Sequence, residues 1–167
     1  DPETFTICTE TIVRQVEEIG RMVDEFSAFA RMPRPDLKEI DLRDLVRQSV
    51  FLERNRFPDI DYDVDMPDAP VMVRVDRQQI ARTLTNVLKN AAEAIVGRKE
   101  KDASAPDGRI AVNLSVDDLG PRVEITDNGG GFPIELLHRI TEPYVTTRER
   151  GTGLGLAIAK KIMEDHN

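Results

Sequence analysis

The sequence predicts an α+β fold: a two-layer α/β sandwich with helices on one face of a sheet, preceded by one long helix. Three observations point there. An apolar heptad seam runs through the first 32 residues and stops at Pro33 and Pro35. Strand-like and helix-like patterns then mix without strict alternation, which disfavours a purely wound parallel sheet. A long amphipathic helix with an aspartate cap leads into a polar loop and a hairpin pattern.

The opening segment, 1–32, carries apolar residues at Phe5, Cys8, Ile12, Val16, Ile19, Val23, Phe26 and Ala30. From Ile12 onward the steps alternate four and three, the spacing of a bundle or coiled-coil seam. Such a stripe cannot be buried by one helix alone, so a dimeric bundle is expected over a helix packed on its own domain. Residues 33–40 are expected to be a linker, and 41–167 a second unit. Asp41 is a suitable N-cap for a helix from about Leu42 to Asn55. The alternation Ile60-Asp61-Tyr62-Asp63-Val64-Asp65 reads as a strand, and Val71 to Val75 as another. Asp76 caps a helix expected to end near Gly97. Arg109–Val116 and Arg122–Thr126 read as a hairpin turning around Leu119-Gly120-Pro121. Ile134–Ile140 suggests a short helix, 141–152 a loop, and Gly153–Asp165 a last helix.

Composition narrows the function. The chain has 167 residues, 40% hydrophobic and 32% charged, as a folded globular chain does. A net charge of -8 disfavours nonspecific nucleic-acid binding. The one cysteine, Cys8, excludes an internal disulfide, and its place on the apolar stripe predicts a packed thiol. No cysteine–histidine cluster of zinc type is present. No apolar run approaches the ~20 residues that span a bilayer, and there is no signal-peptide pattern. A cytoplasmic chain without nucleic-acid or membrane contact is expected.

Three strings could carry chemistry. On the long helix, Asn86, Lys89, Asn90 and Glu93 lie opposite the apolar face of Ile80, Leu84, Val87, Leu88, Ala91 and Ile95. For most helices a solvated face is the plainer reading, but an asparagine carbonyl is also a hard neutral ligand suited to hydrated Mg²⁺. Asp127, at a strand end before Asn128-Gly129-Gly130-Gly131, can accept a hydrogen bond from an exocyclic amine such as that of adenine. An ordinary glycine turn is the plainer reading. Gly151-Thr152-Gly153-Leu154-Gly155 opens a helix, where bare backbone N–H groups form an anion site. Between the strings, Thr146, Thr147, Arg148 and Arg150 could donate to phosphate, or simply decorate a surface loop. The spacing fits neither the dinucleotide fingerprint nor the Walker A string.

In this order, the strings resemble the ATP-binding domain of the gyrase, HSP90, histidine kinase and MutL superfamily. Within it, the chain is similar to the catalytic domain of two-component sensor histidine kinases. Asn86-x-x-x-Asn90-Ala91 looks like the N box, Asp127-x-Gly129-x-Gly131 the G1 box, and Gly151-x-Gly153-x-Gly155 the G2 box. Glu142-Pro143-Tyr144 stands where the F box is expected. Gln15-Val16-Glu17 through Met32-Pro33 looks like the second helix of the dimerisation and phosphoacceptor bundle. Met22-Val23-Asp24-Glu25-Phe26 and Thr146-Thr147-Arg148 are similar to nitrogen-regulation kinases of the NtrY/NtrB kind. The resemblance covers nearly the whole chain.

The resemblance implies a mixed sheet of the Bergerat ATP fold and an enzyme that uses ATP and Mg²⁺. Asn90 would hold Mg²⁺. Asp127 would read the adenine amine, with Gly129 and Gly131 against the base. Residues from about Pro133 to Thr152 would form the ATP lid. Gly151, Thr152, Gly153, Leu154 and Gly155 would receive phosphates, with Asn86, Lys89, Thr147 and Arg148 nearby in catalytic roles. The expected reaction is transfer of the terminal phosphoryl group to a histidine on the first bundle helix, then relay to an aspartate of a response-regulator receiver domain. That regulator would dock near Thr4 to Glu18. The intact protein would be a homodimer through the N-terminal helix, and this chain the cytoplasmic domain of a membrane-anchored sensor kinase. Asn86 stands where the superfamily's hydrolysing ATPases carry a glutamate base, which favours transfer over hydrolysis.

There are departures from the pattern. Thr141 replaces the first F-box aromatic, and Arg148 the lysine usual after the paired threonines. His138 and His166 lie outside any acceptor motif, so the acceptor histidine is expected outside this chain, and autophosphorylation of the chain alone is not expected. The expected final strands of the sheet are also missing. The alternatives are a conformational ATPase of the superfamily, a non-catalytic dimerisation and nucleotide-binding module, and a protein-serine kinase of related fold.

Overall fold

A computed structural model of the chain describes residues 2–147 and 151–166. Helix α1 spans Pro2–Ala30. Its seam is largely open in the single chain: Phe5, Ile12, Val16, Ile19 and Val23 are all exposed. Cys8 is exposed with them, so the packed thiol predicted from the sequence is not found in this chain. The end of the helix meets the rest of the protein. Phe29 and, just beyond, Met32 pack on the core, and the Phe26 ring stacks on Tyr144 with centroids 6.4 Å apart.

Strand β1 (Lys38–Asp41) follows, where the sequence suggested linker up to residue 40. It pairs antiparallel with β3 (Met72–Val75), Lys38 opposite Val75. Between them lie α2 (Leu42–Arg56) and β2 (Ile60–Asp65). Asp41 caps α2 as expected. Its carboxylate accepts from the N–H groups of Arg43 and Val71, both at 3.1 Å, and from the Arg43 guanidinium.

Helix α3 (Arg77–Lys101) is capped by Asp76, whose side chain accepts from the Gln78 and Gln79 N–H groups. It runs a turn past Gly97, where the sequence predicted its end. A single glycine costs only about 1 kcal/mol in a helix, and Arg98 in the next position is fastened to two carbonyls, those of Asn128 and Pro106. Strands β4 (Gly108–Asp117) and β5 (Gly120–Asp127) form the expected hairpin, with Gly120 at φ 114° beside the two-residue loop. Strand β2 joins β4 in parallel, so the three-stranded sheet β2-β4-β5 is mixed, and β1-β3 forms a separate ribbon.

The expected helix over Ile134–Ile140 is only a 3-10 turn, Ile134–Leu136. Its apolar residues Ile134 and Leu137 are exposed, so no buried face stabilises a longer helix. The last helix, α4 (Gly155–Asp165), starts two residues later than predicted. The core lies between the sheet and the helices: Leu45, Leu88, Ile95, Ile110, Val112, Leu154, Ile158 and Ile162 are nearly fully enclosed. Among the described residues no helix is long and apolar enough to cross a membrane.

Candidate nucleotide site

Both glycine strings meet one face of α3. Asn86 donates its side-chain amide to the Gly155 carbonyl at 3.1 Å. A Cβ placed on Gly155 would sit 3.8 Å from Asn86 Cγ and 3.9 Å from Asn90 Nδ2. Two turns further along, Gly129 packs so closely on α3 that a Cβ there would come within 2.7 Å of Ala94 Cβ. Gly130 donates its N–H to the Ala94 carbonyl at 3.3 Å. Asn86, Asn90 and Ala94 are spaced by four residues, so they form a single stripe about 12 Å long. The start of α4 stands at one end of that stripe and the turn after β5 at the other.

The first end is the start of α4. The N-cap residue of helix α4 is Leu154, whose side chain makes no cap hydrogen bond. The Leu154 N–H donates to Thr152 Oγ1 over a long 3.4 Å. Gly153 adopts φ 67°, and a Cβ on it would lie 2.7 Å from the Tyr144 carbonyl carbon. Glycine is therefore required where the loop closes on the helix. There Tyr144, itself at φ 67°, donates its N–H to the Gly153 carbonyl at 3.1 Å. Leu154 is fully buried and anchors the helix start in the core.

At the second end, the Gly129 N–H donates to Asp127 Oδ1 at 2.8 Å. The Asp127 side chain is exposed at the end of β5. Gly131 follows at φ 67°. The packing of Gly129 on Ala94 was not visible in the sequence, which explained this glycine only by the approach of a base.

Not every expected residue joins the stripe. Lys89 pairs with Glu93 at 3.8 Å on a neighbouring face of α3. Both lie near buried Glu53 of α2, whose carboxyl burial pushes above its usual range, with Arg56 and Lys89 opposing that shift. Thr147 is exposed. Arg148 and Arg150 lie outside the described residues, and Gly151 and Thr152 are half-buried. Among the described residues no group of three or more histidine, cysteine, aspartate or glutamate side chains could hold a metal. His138 is exposed, whereas His166 is structural, its ring bonded to the Asp76 N–H and the Ile162 carbonyl.

Residues 75–167 match the model of the histidine kinase-, DNA gyrase B- and HSP90-like ATPase family. The chain belongs to that family. The matched stretch begins just ahead of α3 and includes the whole stripe. The chain is 50% identical over 170 residues to nitrogen regulation protein NtrY of Azorhizobium caulinodans, covering 99% of this chain and 21% of that protein. It is 32% identical to the sensory histidine kinase/phosphatase NtrB of Vibrio alginolyticus, over 100% of this chain and 48% of that one. The chain therefore spans about a fifth to a half of these relatives. Among solved structures, the mycobacterial sensor histidine kinase MprB matches with a TM-score of 0.65 and 31% identity, over 78% of this chain and 80% of that one. Histidine kinase ThkA in complex with response regulator protein TrrA matches with a TM-score of 0.70 and 27% identity, over 99% and 46%. The ATPase domain of this chain thus has the mixed-sheet fold of histidine kinase catalytic domains.

Proposed function

We propose that this chain is the ATP-binding catalytic core of a sensor histidine kinase, with residues 1–32 supplying half of a dimerisation hairpin. The observation that carries the proposal is the stripe Asn86, Asn90 and Ala94, which ties the glycine-rich start of α4 to a turn bearing an exposed carboxylate. Asp127 accepts from the adenine amine. The opening N–H groups of α4, with Gly151, Thr152, Gly153 and Gly155, receive phosphate oxygens. Asn90 contributes a neutral amide oxygen to Mg²⁺. Among the described residues no carboxylates cluster, so an ion held by Asn90 would take its other ligands from water and phosphate. Bound there, the ion neutralises charge on the phosphates.

Asn86 is committed to the Gly155 carbonyl and cannot take a proton from water, which supports transfer over hydrolysis. Lys89, Thr147 and Arg148 are assigned to the terminal phosphate, with Lys89 leaving Glu93 to reach it. In transfer, the bond from the terminal phosphorus to the bridging oxygen breaks, and ADP departs. A bond to a histidine ring nitrogen on the first bundle helix forms. The group then passes to a receiver-domain aspartate. The relatives' names and the ThkA–TrrA pair support this partner, and the open seam of α1 supports homodimerisation in the intact protein. A cytoplasmic placement beneath a membrane anchor belongs to the same reading.

The test is to give radiolabelled ATP and the histidine-bearing helix pair of the full-length protein to this chain and to its Asn90→Ala variant. Labelling of the histidine by the wild-type chain and its loss in the variant is expected. Equal labelling by both, or none by either despite nucleotide binding, overturns the proposal.

A further inference from the structure

Asn128 uses every polar group it has. Its N–H donates to the Arg109 carbonyl at 3.2 Å. Its side-chain oxygen accepts from the Arg109 N–H at 2.9 Å, and its amide nitrogen donates to the Asp107 carbonyl at 2.8 Å. The β4–β5 ladder ends with Asp127 opposite Ile110. The side chain of Asn128 therefore adds one further pair of strand-like bonds just beyond the last ladder pair. Its own carbonyl accepts from the Arg98 guanidinium, which also donates to the Pro106 carbonyl. One planar fork on α3 thus ties together the two chain segments that border the hairpin's open end.

We infer that Arg98 and Asn128 are positioning residues for base selection: they clamp the end of β5 so that Asp127 presents one carboxylate oxygen in a fixed direction. The inference rests on the proposed role of Asp127 in reading adenine. Asp127 is held from both sides, by the ladder before it and by the clamp after it. Its Oδ1 is tied to the Gly129 N–H, while Oδ2 takes no hydrogen bond from the described residues. One tied and one open oxygen make a single directed acceptor. A 6-amino purine donates to it. A 6-oxo purine places its own acceptor there, and two acceptors facing each other leave both unsatisfied. Arginine suits the clamp because its rigid fork reaches two carbonyls, whereas a lysine is a point donor on a flexible stem. Neither residue touches the phosphate end of the stripe, so the clamp acts on the base alone.

The test measures ATP and ITP binding to the full 167-residue chain by calorimetry, with the variants Arg98→Lys, Asn128→Ala and Asp127→Asn. The wild-type chain is expected to prefer ATP. Both clamp variants are expected to weaken ATP by about tenfold while ITP shifts by less than about twofold, so the preference collapses. A merely structural role would weaken both nucleotides alike, and that result, or an unchanged preference, overturns the inference. Asp127→Asn separates the two levels. If it leaves the preference intact, the base-reading role itself fails. If it abolishes the preference while the clamp variants keep it, only the clamp fails. Should Asn128→Ala not fold, Arg98→Lys carries the comparison. Unfolding of both overturns the inference, since the pair would then support the whole domain rather than aim one carboxylate.

Discussion

His166 Nε2 accepts the backbone N–H of Asp76 at 3.0 Å, joining the end of α4 to the start of α3 across 90 residues of sequence. The other ring nitrogen lies 2.7 Å from the Ile162 carbonyl. A carbonyl cannot donate, so Nδ1 carries the proton and the ring is neutral in this arrangement. Nitrogen chemical shifts of the His166 ring should show the Nδ1–H form at neutral pH. An Nε2–H pattern would contradict the bond.

The residue it meets is a hub. The Asp76 carboxylate accepts from Gln78, Gln79 and Asp36 N–H groups. Asp76→Ala is expected to cost about 1–2 kcal/mol in urea unfolding, and Asp76→Asn clearly less, because an amide oxygen still caps a helix.

Acid should unfold the domain through its two caps. The Arg43 side chain, against opposing desolvation, holds the Asp41 carboxyl down at about 2, from an ordinary 3.8. Desolvation works against Asp76 too, yet three backbone N–H groups hold it below its usual range. A depressed folded-state pKa contributes stability that is present above the unfolded value and lost as pH falls through the folded one. Stability should therefore drop from about pH 4 down to about pH 2. Asp41→Asn should flatten that slope. Tm measured from pH 2 to pH 6 decides it, and parallel curves for the two proteins would contradict the assignment.

Glu53 works in the opposite sense. Burial raises its carboxyl above 4.5, and Oε2 has no partner among the described residues. An acid with a raised folded pKa favours folding only where it is protonated, so its ionisation above that pKa is a burden on the native state. Glu53→Gln should raise Tm at pH 7, with the gain shrinking as pH falls through the raised folded-state value into the ordinary carboxylate range, and nearly gone at pH 3, where both side chains are neutral in the folded and the unfolded chain. A gain that persists unchanged at pH 3 would point to packing instead.

Two glycines should separate cleanly. Gly153→Ala must fit a Cβ within 3 Å of the Tyr144 and Val145 backbone at φ 67°. It is expected to lose about 1–3 kcal/mol and to weaken ATP binding. Gly130→Ala meets nothing within 4 Å and should fall within about 0.5 kcal/mol of wild type in the same thermal scans.

Local signals in the sequence were sufficient for the caps Asp41 and Asp76 and for the hairpin at Gly120, because each is decided by a few adjacent residues. Strand β1 was hidden because its four residues, Lys-Glu-Ile-Asp, carry one apolar side chain and gain their partner only when β3 arrives more than 30 residues later. The site was legible as three strings but not as a surface. Nothing in the spacing of Asn86 and Asn90 shows that Ala94 completes their stripe, because an alanine in a helix is the least informative residue there is. Arg98 was invisible for a similar reason. An arginine in a last turn reads as compensation of the helix dipole, and its two carbonyl partners, 8 and 30 residues further on, lie in loops whose approach no local pattern shows.

The stripe on α3 makes the helix a calliper. The span between its two jaws is set by backbone rise, at ~1.5 Å per residue, rather than by the loops that close on it. Loops can lengthen and side chains can change without altering that span. One residue inserted between Asn90 and Ala94 would swing one jaw by ~100° about the axis, so this is the stretch of the chain least able to tolerate a change in length.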